Sequence, residues 1–269
     1  MIGTSFYLGD LNSVPFRDAK FAGGLVYRYN FSPRFALKAN ILFGKIAASD
    51  KKNHSLKKGA WDFRDRGLSF SSPITEIAAQ VEINFFNVYN VPHLNQISPY
   101  LFGGIAFFSF NPQSKYQGKT YNLQPIGTEG QGLDGERKKY SLTGFAIPFG
   151  IGFKANIGRY VCVGAEWGLR FTFTDYLDDV GGLYYDFTDA KINPTSKEVI
   201  TYFADPRDPS VKYSETGGYL YKNSQRYTTK KTDWYSFAGI IITVRIGNED
   251  RICDVKTNVK LKHKQGKKR

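Results

Sequence analysis

The segment Tyr140-Ser141-Leu142-Thr143-Gly144-Phe145-Ala146-Ile147-Pro148-Phe149-Gly150-Ile151-Gly152-Phe153-Lys154-Ala155-Asn156-Ile157 alternates strictly between large apolar and small residues over its central part. Successive side chains on a β-strand point to opposite faces, so a strand half-exposed to a different medium shows a period of two. Here Thr143, Phe145, Ile147, Phe149, Ile151 and Phe153 make one large apolar face. Gly144, Ala146, Pro148, Gly150, Gly152 and Lys154 make the other, small and ending in a charge. Val161–Thr174 repeats the pattern: Val161, Val163, Ala165, Trp167, Leu169, Phe171 and Phe173 stand against Cys162, Gly164, Glu166, Gly168, Arg170, Thr172 and Thr174.

Working outward, six further segments alternate. Phe21–Phe31 sets Leu25, Tyr27 and Tyr29 against Arg28 and Asn30. Phe35–Ala47 sets Phe35, Leu37, Ile41 and Phe43 against Lys38 and Asn40. Leu68–Phe86 sets Ile77, Val81, Ile83 and Phe85 against Glu76, Gln80, Glu82 and Asn84. Trp234–Gly247 sets Ile240, Ile242, Val244 and Ile246 against Thr243 and Arg245. Ile2–Gly9 and Tyr100–Phe110 complete a set of eight, the last being aromatic on both faces.

The connections alternate too. Residues 10–20, 48–67, 111–139 and 175–233 form long gaps; 32–34, 87–98 and 158–160 form shorter ones, though 87–98 slightly exceeds 10–20. Outer-membrane barrels have an even strand number, short periplasmic turns and long extracellular loops. Eight strands close a barrel whose interior side chains fill. The expected fold is therefore all-β: an eight-stranded antiparallel transmembrane (outer-membrane) β-barrel over residues 1–247, with short periplasmic turns and long extracellular loops. Residues 248–269 form a basic tail on the periplasmic side. A soluble barrel or sandwich would turn the apolar face inward. The polar faces are too small, too rich in glycine and too sparsely charged for a solvated surface.

Composition agrees. The chain has 269 residues, with 22 Phe, 18 Tyr, 3 Trp and 27 Gly against one Met. The longest near-apolar run is Phe237–Val244, far short of the ~20 residues a spanning helix needs. The net charge is +13. Arg251–Arg269 holds eight Lys/Arg and one Asp, so the tail carries about half of that charge and the body is nearly balanced. This argues against a nucleic-acid-binding body. Met1 leads directly into Ile-Gly-Thr-Ser-Phe-Tyr with no basic-then-apolar leader, and the expectation is a processed or mis-started N-terminus.

Several phrases carry a family resemblance. They are Tyr7-Leu8-Gly9-Asp10-Leu11-Asn12, Leu101-Phe102-Gly103-Gly104-Ile105-Ala106, Phe110-Asn111-Pro112 and Leu123-Gln124-Pro125-Ile126-Gly127-Thr128-Glu129-Gly130-Gln131-Gly132. Ala146-Ile147-Pro148-Phe149-Gly150 and Phe173-Thr174-Asp175-Tyr176-Leu177-Asp178-Asp179-Val180 complete them. Over roughly residues 5–247 the chain resembles PorG-type outer-membrane barrels of the type IX secretion system of Bacteroidota. The resemblance implies a non-enzymatic subunit of a protein secretion machine, associated with a periplasmic ring of the lipoprotein PorK and its partner PorN. The alternative is a free-standing small outer-membrane barrel, an adhesin or a passive channel. In either case the surrounding partner is outer-membrane lipid, and nucleic acid has no place.

Catalysis has little support, and no cofactor is expected. His54, His93 and His263 are far apart and match no metal-ligand spacing. Gly127–Gly135 lacks the Lys-Ser/Thr ending of a phosphate loop and reads as an ordered external loop. The acids Asp175, Asp178, Asp179, Asp186 and Asp189 match no calcium-loop spacing and read as solvated loop residues. On the lumen face lie Arg28, Lys38, Lys154, Arg170 and Arg245 against Glu76, Glu82 and Glu166. Unpaired charges in a narrow lumen are costly, so these are expected to pair across strands as a structural plug. Glu166 and Arg170 sit ~13 Å apart along one strand face and should each find a partner elsewhere.

The tail residues Lys256, Lys260, Lys262, Lys264, Lys267, Lys268 and Arg269, with His263 among them, have no apolar core. They read either as a solvated end or as an electrostatic arm for an acidic periplasmic partner. Cys162 lies just after the 158–160 turn and Cys253 six residues beyond Gly247. Both fall at the oxidising, periplasmic end, so Cys253 is expected to bond Cys162 or, as the competing outcome, a partner's cysteine, with two free thiols as the third reading.

Overall fold

The computed structural model describes residues 1–52, 57–58, 61–62, 66–86, 97–133, 137–157, 160–188, 190, 192–214, 217–227 and 232–246. Eight strands form the wall: β1 (Ile2–Leu8), β2 (Lys20–Asn30), β3 (Phe35–Ser49), β4 (Ser69–Asn84), β5 (Ile97–Phe110), β6 (Thr143–Ile157), β7 (Val161–Thr172) and β8 (Trp234–Val244). Each pairs antiparallel with its neighbours in sequence, and β1 pairs with β8, which closes the sheet. Closure removes both free edges, which is what allows a sheet to stand in lipid.

The alternation becomes an inside and an outside. Leu25, Ile105, Ile147, Ile151, Ile240 and Ile242 point outward and are exposed; Lys38, Glu76, Glu82, Lys154, Glu166 and Arg170 point inward and are buried. Leu25 is 77% exposed while Lys38 is 0% exposed. In water this would be inverted, because apolar area favours burial by about 25 cal/mol per Å². An apolar exterior around a charged interior is the pattern of a barrel in lipid.

β5 shows how aromatic residues occupy both faces. Leu101, Ile105 and Phe107 are exposed, and Tyr100, Phe102, Phe108 and Phe110 are buried in the lumen. The glycines of the facing strands make room for them. A Cβ at Gly152 would lie 2.3 Å from the Tyr100 ring, and one at Gly150 or Gly168 would lie 2.6 Å from the Phe102 ring. The small face of Tyr140–Ile157 is thus complementary to a neighbour's rings. β5 also begins earlier than its alternation indicated, at Ile97, because it pairs with β6 as far as Ala155.

At one end lie the turn 31–34, the end of β6, the start of β7, the start of β1 and the end of β8. At the other, the described parts of the long connections fold into a cap. The third long loop holds a hairpin, Gln113–Tyr116 with Lys119–Asn122, and a single helical turn, α1 (Leu123–Ile126). The hairpin turn is Gln117-Gly118, both at positive φ, the form whose twist matches its strands. The last loop holds α2 (Pro194–Ala204) and α3 (Pro209–Lys212), where Asp208 caps α3 by accepting from the Ser210 amide. Proline opens both helices, where its missing N–H costs nothing. Leu11, Leu68, Leu123, Leu177, Val180 and Phe203 of the cap share one apolar cluster with Ile74, Phe108 and Phe237 of the barrel.

Candidate functional site

The lumen holds a network of buried ion pairs. Arg170, on β7, donates to both carboxylate oxygens of Glu76 on β4, Nε to Oε2 at 3.0 Å and Nη2 to Oε1 at 3.1 Å. Tyr235 of β8 donates to the same Oε2 at 2.8 Å. Lys38 of β3 pairs with Glu166 of β7, which also accepts from the Tyr100 hydroxyl at 2.8 Å. Lys154 of β6 and Arg28 of β2 both meet Glu82 of β4, the latter at 3.0 Å. The Lys38 ammonium lies 3.9 Å from the centre of the Phe102 ring. Every pair joins strands, and Glu166 and Arg170 do not pair with each other.

Four cations and three carboxylates therefore interlock across the lumen. Arg245 lies at the short-turn end on the wall of a cavity of about 580 Å³, which it shares with Arg28 of the network, Tyr160 and Cys162. Cys162 is half-buried there. Cys253 and the basic residues from Lys256 to Arg269 lie outside the described residues, as do His54, His93 and His263.

A second polar network holds the cap together, and it corrects the reading of the loop acids. Asp178 and Asp179 are buried, not solvated. Arg226 lies at the centre, 2% exposed. It donates to the carbonyls of Phe203 at 3.0 Å and Ala204 at 3.1 Å, to Thr128 Oγ1 at 3.1 Å and to Glu129 Oε1 at 3.2 Å. Its Nη1 also donates to the Asp179 carbonyl at 2.5 Å. Glu129 in turn accepts the amides of Gly181 at 3.2 Å and Gly182 at 3.1 Å. Asp179 accepts from the hydroxyls of Thr128 at 2.5 Å and Tyr140 at 2.7 Å. Arg66, from the second long loop, forks onto Asp50 with two contacts of 2.7 Å and also donates to the Arg226 carbonyl. One guanidinium thus ties the third loop, both arms of the last loop and α2 together, and Arg66 adds the second loop.

Burial raises the Asp179 carboxyl to about 6, although Arg226 beside it pulls the other way. Burial also raises Asp50, against its bond to Arg66. Burial pushes Asp205 up as well, but the Arg207 fork holds it below the ordinary range. Among the described residues, no group of three or more His, Cys, Asp or Glu side chains is placed to hold a metal ion. The acids serve as hydrogen-bond acceptors. The sequence signal that could have exposed this was the company they keep: Leu177 and Val180 flank the pair Asp178-Asp179, and such apolar flanks favour burial.

Residues 1–187 match a family described as a domain of unknown function (DUF6089). No curated protein matches the chain. Among solved structures, Ail, the attachment invasion locus protein of Yersinia pestis, crystallised with the heparin analogue sucrose octasulfate, is similar at 10% identity and a TM-score of 0.36. The match covers 91% of this chain and 94% of Ail. CarO2 of Acinetobacter baumannii is similar at 11% identity and a TM-score of 0.29, covering 91% of this chain and 98% of that one. Scores this low bear on neither ligand nor activity.

Proposed function

The chain belongs to the DUF6089 family. We propose that it is a non-enzymatic outer-membrane subunit of the type IX protein secretion machinery. It sits in outer-membrane lipid, with its short turns in the periplasm and its cap outside. Its basic tail contacts the periplasmic ring of PorK and PorN. The observation that carries this reading is where the resemblance phrases meet. Tyr7, Asp10, Leu11, Asn12, Thr128, Glu129, Gln131, Leu177, Asp178, Asp179 and Val180 are distant in sequence and are all buried in the cap and the barrel rim beneath it. A shared set of phrases that builds one assembly supports shared architecture, and with it a shared role.

A lumen blocked by ion pairs and rings beyond the cavity at the short-turn end also weighs against the passive-channel alternative. Ions would have to displace buried pairs and the rings of Tyr100, Phe102, Phe108 and Phe237. An adhesin stays compatible with an ordered external cap that exposes Val211 and Leu220.

The test is co-purification from detergent-solubilised membranes of the native host, with mass spectrometry of the proteins that elute with the tagged chain. PorK and PorN should be recovered with the full chain. A chain lacking residues 255–269 should insert normally and recover less of both. Recovery from the full chain should also fall at high salt, since exposed charges are screened within ~8–10 Å at physiological ionic strength. Neither protein recovered with the full chain would overturn the secretion role. Equal recovery by both chains at both salts would overturn the role of the tail.

A further inference from the structure

Tyr7 ends the lumen face of β1 beneath the cap, fully buried. Its hydroxyl oxygen lies 2.6 Å from Asp178 Oδ2 and 2.7 Å from Asp233 Oδ1. A phenol carries one hydrogen and can donate to one of them. The other oxygen–oxygen contact is repulsive unless that carboxyl carries a proton and donates to the phenol oxygen. Both carboxyls are 2% exposed or less, and contacts of 2.6 and 2.7 Å leave no room for a water between the phenol and either of them. The outer oxygens are also fixed: Asp178 Oδ1 accepts the Val180 amide at 2.9 Å, and Asp233 Oδ2 accepts the Leu177 amide at 2.9 Å.

We propose that Tyr7, Asp178 and Asp233 form a single-proton site that latches the longest loop over the barrel mouth, and that alkaline pH releases the latch. The placement gives the proton its leverage. Asp178 stands near the start of the connection between β7 and β8, Asp233 at its end, and Tyr7 on the wall. One acid–phenol–carboxylate chain therefore ties both ends of that loop to the rim.

The charges facing the site come from every neighbouring element. Asp10, on the first long loop, acts on all three members. Asp175 acts on Asp233. From the second loop comes Arg66, whose charge is shared with its partner Asp50. The surroundings are acid-rich, and a bound proton is the smallest counter-charge available. Burial, with Asp10 facing it, outweighs the bonds from Tyr7 and Val180 and the opposing charge of Arg66 and leaves Asp178 well above the ordinary carboxyl range; burial, with Asp178 facing it, does the same for Asp233. A folded-state value above the unfolded one means that the folded protein binds the proton more tightly. The latch is then complete at low pH and weakens as pH rises toward the folded value, by tenfold in the closing equilibrium per unit.

Infrared spectroscopy of the folded, full-length protein in detergent micelles tests this, since a protonated carboxyl has a carbonyl stretch distinct from a carboxylate. At about pH 8 an ordinary aspartate is ionised. The wild-type protein should still show the acid band there, and it should shift when aspartate is labelled with ¹³C at the side-chain carboxyl. Asp178→Asn and Asp233→Asn should each abolish it, because one amide supplies the second donor; Asp179→Asn should leave it in place. On further alkalisation the band should disappear, and residues 173–233 of the wild type should then become cleavable by added protease. Asp178→Asn should stay protected over the same range. An acid band missing at pH 8, unmoved by the aspartate label, or retained in both Asn variants overturns the one-proton site. A loop that stays uncut after the band has gone overturns the latch. The isotope experiment needs no substitution, so it decides the first question even where a variant fails to fold.

Discussion

Replacing Glu76 by Gln keeps the side chain's shape and removes the carboxylate that Arg170 bonds. The guanidinium is 1% exposed and cannot turn to water. Stranding a buried charge in this way costs about 3–5 kcal/mol. Tyr235 keeps an acceptor in the amide oxygen, so its contribution, about 1 kcal/mol for a hydrogen bond, is largely retained. Arg170→Met makes the complementary error, leaving Glu76 charged in the lumen, and should cost a similar amount. The double variant removes both charges. It should be no less stable than either single, which gives a coupling energy of at least about 3–5 kcal/mol. Urea unfolding of protein inserted in phospholipid vesicles would measure these values. Trp167 and Trp234 in the wall serve as fluorescent reporters, and gel mobility marks the folded barrel. Single variants within about 1 kcal/mol of wild type, or losses that simply add in the double, would refute the claim that this pair is dry and mutually dependent.

Arg at Ile147 or Ile151, both on the exposed outer face, or at Leu169 should destabilise the inserted barrel by about 2–4 kcal/mol. Arg at Gly164 should fail sterically instead, since even a Cβ there lies 2.7 Å from the Phe153 carbonyl oxygen. Heat-modifiable gel mobility and membrane partition check both, and survival of all the outer-face variants would favour an inside-out, soluble arrangement. Cys253 should be found bonded, to Cys162 or to a partner's cysteine. Non-reducing gels with peptide mapping distinguish these, and labelling of both thiols in native membranes would exclude either. The Asp179 carboxyl, raised to about 6 by burial, adds stability that is whole below about pH 4 and is lost as pH rises to about 6, roughly 3 kcal/mol over the interval. Asp179→Asn should flatten that part of the profile of cap proteolysis against pH, and an unchanged slope would count against this assignment.

The sequence by itself determined the wall. Alternation is a local property, carried by residues i and i+2, and it survives in a single chain whatever the neighbours do. Ile147 and Lys154 announce opposite faces without reference to any other strand, and a wall that alternates over eight segments with long and short gaps has few ways to close. The resemblance phrases were legible for the same reason, as contiguous words. Which charges meet, and what the loops become, depends on the assembled fold. Lys38 finds Glu166 and Arg170 finds Glu76 across the lumen, and those matches depend on the register and curvature of the closed sheet, which no local pattern encodes. The two aromatic faces of β5 were undecided until Gly150, Gly152 and Gly168 were seen to lie beneath Phe102 and Tyr100. Asp178 and Asp179 looked like solvated loop acids because their hydrogen-bond donors, Tyr7, Thr128 and Tyr140, come from elsewhere in the chain. The apolar flanks Leu177 and Val180 hint at burial, but the donors without which that burial would be too costly come from distant parts of the chain.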